Sequence, residues 1–189
     1  MGLFTTVNKE FERVAMHAVR LRLLKEQAKQ IGLPIHIIEI PFPCSNADYE
    51  RIMNEFITKI QNDNIEAVAF GDLYLEDIRD YRIKQMQGTG IKPIFPCWEI
   101  DTTELSKMII DVGIKANITC IDPKQISSDF AGHAFNQKLL NTLPNQVDPC
   151  GENGEFHTFV YDSPDFKNPI KVTQGETVER DGFIFTDWI

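Results

Sequence analysis

The 189-residue sequence has no excess of basic residues and no long apolar run. It carries 19 Lys and Arg against 28 Asp and Glu, a net charge of -9. This charge argues against broad, sequence-independent nucleic-acid binding, which depends on neutralising phosphates. No apolar run approaches the ~18–20 residues that span a bilayer, and the N-terminus lacks the basic-then-apolar pattern of a signal peptide. We therefore expect no membrane partner.

The four cysteines form no CxxC pair, which argues against a structural zinc site and against a disulfide framework. A reducing, cytoplasmic location fits this spacing best. The four are Cys44, Cys97, Cys120 and Cys150.

Several motifs of nucleotide-binding and hydrolytic proteins are also absent. The sequence has no GxxxxGK[ST] loop, no GxGxxG that opens a helix, no HExxH pair and no GxSxG elbow. If the protein binds a nucleotide, the familiar phosphate cradles do not hold it in this chain.

The first 90 residues alternate short apolar runs with helical patterns, which indicates βαβ units and a parallel sheet. Ligands of such sheets bind beyond the carboxyl ends of the strands, here at Asn8, 41–45 and Gly71–Asp72. The predicted strands are LFTTV, IHIIEI (35–40) and IEAVAF (65–70). The first predicted helix runs from an N-cap at Asn8 to Gly32, the second begins at a capping box formed by Ser45 and Asp48, and the third covers 75–86.

The pattern changes at IKPIFPCWEI (91–100), which predicts a domain junction. A helix over 104–112 is followed by IKANITCI (114–121), whose alternation indicates a half-exposed strand. A helix over 134–143 and three antiparallel strands complete the prediction. The fold class is therefore a parallel α/β half followed by a smaller α+β half.

The segment PCGENGEFHT (149–158) is the strongest candidate for chemistry from the residues alone. Gly151 and Gly154 permit positive φ and close backbone approach. Glu152 and Glu155 suit metal binding or acid–base catalysis, Asn153 donates and accepts hydrogen bonds, and His157 titrates near neutrality. The alternative is a hairpin corner with exposed acids. We favour a functional role for this segment, because it contains more hydrogen-bonding and ionisable groups than a turn requires.

Gly71–Asp72 is a second candidate, since it ends a predicted strand. Its carboxylate suits a metal or a ribose hydroxyl, and equally a helix cap. Glu76, Asp77 and Arg79 follow on a helix whose simplest interpretation is a solvated face. His17 is expected to be packed or half-exposed inside the first helix.

Four blocks of the sequence resemble the diphthine–ammonia ligase-like ATP-binding family, relatives of the N-type ATP pyrophosphatases. VDPCGENGEFHTFVYDSPDF (147–166) resembles its GENGEFHT motif, and AFGDLYLEDIRDYR (69–82) its second block. PIFPCW (93–98) and residues 5–34 resemble two further blocks. The resemblance covers essentially the whole chain, in order.

The resemblance implies a Rossmann-like adenine nucleotide α-hydrolase domain (1–96) followed by a family-specific C-terminal domain (97–189). It implies ATP-dependent activation of a carboxylate as an acyl-adenylate, release of pyrophosphate, and attack by ammonia to give an amide. ATP or AMP, Mg²⁺, ammonia and an unidentified carboxylate acceptor are the implied ligands.

The resemblance also implies roles for individual residues. Gly71 and Asp72 would lie beside the nucleotide, and Glu76, Asp77 and Arg79 would support that rim. The range 151–155, with His157 and Thr158, would form the family-specific wall of the cleft; Glu152, Glu155 and His157 are its candidate catalytic groups. Asp72 paired with a loop glutamate would suit Mg²⁺.

The sequence departs from the family pattern at its start. The family begins with a strand and a loop of the type S-[SG]-G-K-D-S that wraps the ATP phosphates, and no such string occurs here. We expect either a shortened form of a longer protein, which we favour, or a relative without ATP chemistry that acts as a non-catalytic nucleotide- or protein-binding module. In either case, we expect the missing phosphate loop to impair catalysis by this chain. With the first strand missing, a homo-oligomer is also expected.

Overall fold

The computed structural model describes residues 1–189 as a mixed α/β architecture. The strands are β1 (Leu3–Asn8), β2 (Arg13–Val14), β3 (Ile35–Ile40), β4 (Ala67–Ala69), β5 (Lys92–Ile94), β6 (Lys115–Ile121), β7 (Ala134–Phe135), β8 (Phe156–Asp162), β9 (Gln174–Arg180) and β10 (Phe183–Trp188). The helices are α1 (Leu21–Ile31), α2 (Asn46–Asn62), α3 (Glu76–Met86), α4 (Thr102–Asp111) and α5 (Gln137–Thr142), and a 3₁₀ helix spans Ser128–Phe130. No helix combines the length and the hydropathy that crossing a bilayer requires.

Two small sheets, which are parallel except for β2, form the N-terminal part. β1 pairs with β3, so that Leu3 lies opposite Ile35, and β4 pairs with β5, so that Val68 lies opposite Pro93. The predicted alternation of strands and helices, with parallel pairing, is confirmed here. β5 lies inside the stretch predicted as a domain junction and extends the parallel part to Ile94.

Helix α2 follows the sequence prediction closely. The Ser45 hydroxyl accepts a hydrogen bond from the backbone N–H of Asp48 at 3.1 Å and caps the helix. Its apolar stripe, which includes Met53 and Phe56, packs against β3 and β4 in one core cluster. Spacing of three and four residues places these side chains on one face, and their burial stabilises the sheet–helix pair.

The helix predicted from Asn8 is wrong in its first half, since α1 begins only at Leu21. Asn8 caps no helix: its Oδ1 accepts hydrogen bonds from the backbone N–H groups of Glu10 (3.0 Å) and Phe11 (3.3 Å). Such a side-chain turn competes with helix formation. Residues 9–20 instead form turns and β2, which runs antiparallel to the end of β1.

Segment 9–20 also has a backbone that no helix allows. Glu12, Met16 and Ala18 have φ values of 49°, 61° and 54°. Positive φ is uncommon for non-glycine residues and persists only where the surroundings impose it. His17 therefore lies in a turn and not inside a helix.

A five-stranded, fully antiparallel sheet forms the C-terminal part. Its order is β7-β6-β10-β9, and β8 pairs with the other edge of β6. The predicted antiparallel strands of the tail are thus confirmed as β8, β9 and β10. Strand β9 lies at the edge of the sheet, with nearly all of its residues exposed.

The expectation that β6 is half-exposed is wrong. Only Lys115 is exposed, whereas the polar residues Asn117 and Thr119 are 7% and 2% exposed. Alternation along β6 reflects its two faces, but both faces are covered. Thr119 compensates for its burial by donating to the backbone carbonyl of His157 at 3.2 Å.

The helix predicted over 134–143 is also shorter than expected. Ala134 and Phe135 form β7 against β6, and α5 starts after Asn136, whose Oδ1 accepts from the N–H of Leu139 at 3.0 Å. An N-cap asparagine ends the strand and begins the helix here.

Helix α1 joins the two parts of the chain. Val19 and Leu23 share a buried cluster with Phe159 of β8 and with Ile170. Gln27 adds a polar link, since its Nε2 donates to the carbonyl of Val160 at 2.7 Å. This packing fixes the position of β8 relative to the parallel strands.

Candidate functional site

The loop 148–155 is organised around the carboxylate of Glu155, which is 2% exposed. Glu155 Oε1 accepts hydrogen bonds from the backbone N–H of Asp148 (2.9 Å) and from Nδ2 of Asn153 (3.1 Å). Its Oε2 accepts from the backbone N–H of Asn153 at 3.0 Å. A buried carboxylate needs such donors, so Glu155 closes the loop upon itself.

The two glycines of this loop differ in their surroundings. Gly151 has a φ of +72°, and a Cβ there would lie 2.6 Å from the carbonyl oxygen of Phe156. Gly154 has a φ of +80°, but a Cβ there would meet nothing within 4 Å. Both use the left-handed region, and only Gly151 also needs the absence of a side chain.

The loop docks on the turn that follows β4. Glu152 Oε1 accepts from the backbone N–H of Leu73 at 2.7 Å, and the Tyr74 hydroxyl donates to Oδ2 of Asp148 at 3.0 Å. Leu73 and Tyr74 directly follow Gly71 and Asp72 at the carboxyl end of β4. The structure therefore brings together the two segments that the sequence singles out.

Burial and neighbouring carboxylates shift the titration of this junction. Burial raises the pKa of Glu152, and the nearby Asp72 carboxylate adds to the increase. Burial, with the hydrogen bond to Asp148, raises the pKa of Tyr74 to about 12. Burial also raises the pKa of the Cys150 thiol to about 12, so this cysteine is not a thiolate at neutral pH.

Asp72 has an oxygen without a partner. Its Oδ2 is buried, forms no hydrogen bond and lies 3.8 Å from Nε of Arg82, which also lacks a hydrogen-bond partner. The Arg82 guanidinium lies over the ring of Phe70 at 5.1 Å. Unpaired buried polar atoms are rare and costly in folded proteins. Asp72 therefore retains capacity for one more donor or cation.

Arg79 lies on an aromatic platform. Its guanidinium carbon lies 4.6 Å from the ring centroid of Trp98 and 5.6 Å from that of Phe95, within the range of cation–π attraction. Glu76 and Asp77 occupy the first turn of α3 and are exposed, so they border the site from the solvent side.

His157 stacks on His17 of segment 9–20, with 4.4 Å between the ring centroids. Burial, with a smaller contribution from His17, lowers the pKa of His157 to about 4. Burial also lowers the pKa of His17, although a hydrogen bond with the backbone of Thr158 opposes the shift. Both rings are therefore neutral at pH 7.

We expect this pair to make stability depend on pH. Between the ordinary histidine pKa of 6.5 and the folded value of about 4, the unfolded chain binds more protons, so stability falls as the pH falls. His157→Phe keeps a stacking ring but removes one titrating group. When the pH is lowered from about 7.5 to about 4.5, the free energy of unfolding is expected to fall by about 2 kcal/mol more for the wild type than for the variant. Thermal unfolding at the two pH values measures this difference. Parallel pH profiles of the two proteins would contradict this.

Several of these contacts have no signal in the sequence. The stack of His17 on His157 joins residues far apart in the chain, and His17 was expected inside a helix. Tyr74 follows the Gly71–Asp72 pair and lies in the 69–82 block, so its position in the sequence marks it as a candidate site residue. Trp98 lies in the PIFPCW block, but its stack on Arg79 depends on the tertiary fold.

No group of three or more His, Cys, Asp and Glu side chains is positioned to hold a metal ion. Of the two loop glutamates that could pair with Asp72, Glu152 is the one that interacts electrostatically with it. A resident, all-protein metal cage is therefore not part of this site.

Comparisons with known proteins give one family. Residues 101–186 match a family model described as the diphthamide synthase C-terminal domain. The chain is 28% identical over 138 residues to the diphthine–ammonia ligase of Schizosaccharomyces pombe, which covers 70% of this chain and 22% of that protein. It is 26% identical over 141 residues to the Rattus norvegicus protein of the same name, a match that covers 71% of this chain and 52% of that protein. It is 23% identical over 184 residues to the Homo sapiens protein, a match that covers 89% of this chain and 67% of that protein.

These matches cover only part of the relatives. The chain spans 22% of the length of the yeast protein and 52% of that of the rat protein. The matched range 101–186 contains loop 148–155 and all of β8.

Proposed function

We propose that this chain, a member of the diphthine–ammonia ligase-like family, forms part of an ATP-dependent amide-forming site. The reaction would activate a carboxylate as its adenylate with release of pyrophosphate, and ammonia would then attack the activated carbonyl. The acceptor is a carboxylate whose identity stays open, and the cleft between loop 148–155 and the end of β4 is the proposed location.

One observation carries this proposal: the hydrogen bond of 2.7 Å from the Leu73 N–H to Glu152 joins the family motif to the carboxyl end of a parallel strand. Ligands of open α/β sheets bind at such strand ends. The N-terminal strands, paired in parallel and alternating with helices, support the nucleotide α-hydrolase type of fold for residues 1–96, with 97–189 as the second domain.

The residues take distinct roles in the proposal. Gly71, whose Cα faces open space, permits a nucleotide to approach the backbone. Glu152, held against the turn after β4 by the Leu73 N–H, would act beside Asp72 as the second carboxylate that faces the bound nucleotide. Glu155, whose two oxygens accept three hydrogen bonds from the loop, would position the loop. His157 and Thr158 support the wall from β8.

Asp72 and Glu152 would hold Mg²⁺ through their carboxylate oxygens. Mg²⁺ is commonly bound by one or two carboxylates, while substrate phosphates and water supply the other ligands. The unpartnered Oδ2 of Asp72 fits this arrangement. The ion would neutralise phosphate charge, and the rim of Glu76, Asp77 and Arg79 would border the nucleotide.

Calorimetry with ATP, with and without Mg²⁺, tests the binding step. We expect Asp72→Asn and Glu152→Gln to weaken Mg²⁺-dependent ATP binding by about tenfold each, since each removes one charged ligand. Glu55→Gln, an exposed carboxylate on α2, is the matched control and is expected to leave binding unchanged.

Pyrophosphate release with ammonium and a panel of small carboxylates tests the chemistry. Binding of ATP or AMP without release under any condition would favour the nucleotide-binding module instead of the ligase. Absence of both ATP and AMP binding would refute the proposal.

A further inference from the structure

A cavity of about 460 Å³ lies outside the site described above. It is bounded by segment 9–20, by the residue Phe42 after β3, and by the hairpin of β9 and β10. No residue of 71–77 or of 148–158 lines it. Its volume falls in the range of small-molecule sites.

Aromatic rings form the walls of this cavity. Phe11 and Phe42 meet edge to face, with 5.2 Å between centroids, and are 45% and 49% exposed. Phe183 and Phe185 line the opposite side from β10. Exposed large apolar side chains that converge on one concavity indicate a ligand, because isolated exposure would not bring rings from three chain segments together.

The inner wall carries more positive than negative charge. Arg13 and Arg20 share the single carboxylate of Asp187: Arg13 Nη1 donates to Oδ1 at 2.9 Å, and Arg20 Nε donates to Oδ1 at 3.0 Å. Nε and Nη2 of Arg13 form no hydrogen bond with the protein, so donors of a guanidinium fork stay available. Two cations facing one anion leave an excess of one positive charge.

The rim adds a third guanidinium. Arg180 forms no ion pair and lies over the Phe11 ring at 5.8 Å. Glu176 and Asp181 also line the rim, and all three rim groups, Arg180 included, are exposed and screened by solvent, so the charge that distinguishes the cavity is the excess of one positive charge at the inner wall.

Backbone strain concentrates around the same cavity. Of the six non-glycine residues with positive φ, Met16, Ala18 and Asp181 line it; Asp181 belongs to the Asp-Gly hairpin turn between β9 and β10, where positive φ is ordinary, so Met16 and Ala18 carry the strain. Strained backbone conformations cluster at ligand sites, where the surroundings over-determine them. The strain supports a shaped cavity and not a chance gap between two packed segments.

From the aromatic walls, the unused guanidinium donors and the volume, we infer that this cavity binds a small planar aromatic carboxylate. The ring would pack among Phe11, Phe42 and Phe183, and the carboxylate would meet the guanidinium groups at the inner wall. The cavity shares no residue with the cleft between loop 148–155 and the end of β4, so this inference does not depend on the ligase proposal. Asn8 and Phe42, which line the cavity, belong to the strand-end rim predicted for ligands, and displacement by AMP distinguishes the two.

Displacement of the fluorescent aromatic sulfonate 8-anilinonaphthalene-1-sulfonate tests the inference in the absence of nucleotide. The two competitors are 2-naphthoate and its neutral isostere 2-naphthamide. We expect naphthoate to displace the dye at about a tenfold lower concentration, because only the anion gains charge-assisted hydrogen bonds. Equal displacement by the two compounds would overturn the inference.

Three variants test whether the two compounds bind in this cavity. Arg180→Gln, which removes no protein ion pair, is expected to reduce the preference for naphthoate by about threefold. Asp187→Asn removes the competing carboxylate and is expected to increase the preference, which structural damage would not do. Phe183→Ala is expected to weaken both compounds by about tenfold.

Met108→Ala is the control, since Met108 is 52% exposed on α4, away from the cavity. An effect of Met108→Ala equal to that of Phe183→Ala would overturn the inference. Should Phe183→Ala fail to fold, Phe42→Leu tests the same wall from an exposed position. A titration with AMP then tests the remaining contrary outcome. If AMP displaces the dye from the wild type but not from Phe183→Ala, the cavity is a nucleotide site and the inference is wrong.

Discussion

Gly151→Ala is expected to destabilise the protein strongly and to displace the loop that carries the family motif. The φ of +72° disfavours any L side chain, and the added methyl group would lie 2.6 Å from the backbone oxygen of Phe156. The left-handed conformation alone costs about 1–2 kcal/mol, and relief of the clash raises the total to about 3 kcal/mol. For a chain of this size, thermal unfolding is expected to shift downward by about 6–12 °C.

Gly154→Ala is the matched control for this prediction. Gly154 has a φ of +80°, yet nothing lies within 4 Å of a Cβ placed there. Its replacement therefore carries the conformational cost without the clash, about 1 kcal/mol. Equal losses for the two variants would show that contact with Phe156 has no role.

Glu155→Ala is expected to cost about 3–5 kcal/mol of unfolding free energy, because the backbone N–H groups of Asp148 and Asn153 lose their buried acceptor. Loop 148–155 would then no longer hold Glu152 against Leu73. In a protein that releases pyrophosphate as proposed, the rate is expected to fall by at least about a hundredfold.

Glu155→Gln separates shape from charge. Glutamine keeps the size of the side chain, but its Nε2 amide replaces one acceptor oxygen. An N–H donor would then face an N–H donor of Asp148 or Asn153. We expect an intermediate loss of stability. Glu152→Gln, in contrast, is expected to fold normally and to affect only ligand binding. Near-normal stability and activity of Glu155→Ala would exclude the positioning role.

Local patterns predicted the regular elements well. Strand β3 follows from its apolar run, α2 from its capping box and stripe, and α3 from its position after Gly71–Asp72. Each of these signals lies within a few residues of the element that it specifies, so the sequence alone suffices to find it.

Non-local contacts account for the errors. Segment 9–20 has helical composition, but Asn8 closes a turn and Arg13 and Arg20 bind Asp187 of β10 instead. Strand β6 alternates as an exposed strand does, yet packing from both sides buries Thr119. Neither partner is visible from local spacing, because each lies far away in the sequence.

The candidate site shows the same division. The motif 149–158 and the pair Gly71–Asp72 were predicted from residue types and from the family resemblance. The hydrogen bond between Glu152 and Leu73, and the stack of His157 on His17, required the fold. The interior position of Glu155 could not be read from a loop rich in acidic residues, where exposure is the usual outcome.

The ion pair of Arg13 and Arg20 with Asp187 also constrains the order of folding during synthesis. Asp187 is separated from Arg13 by 174 positions and from Arg20 by 167. A ribosome releases the two arginines long before their shared carboxylate, so segment 9–20 emerges without the partner that holds it. Closing such a loop is entropically costly and slow. The local contacts of segment 9–20, its pairing with β1 and the Asn8 turn, can form early, whereas its ion pairs with Asp187 must wait for β10.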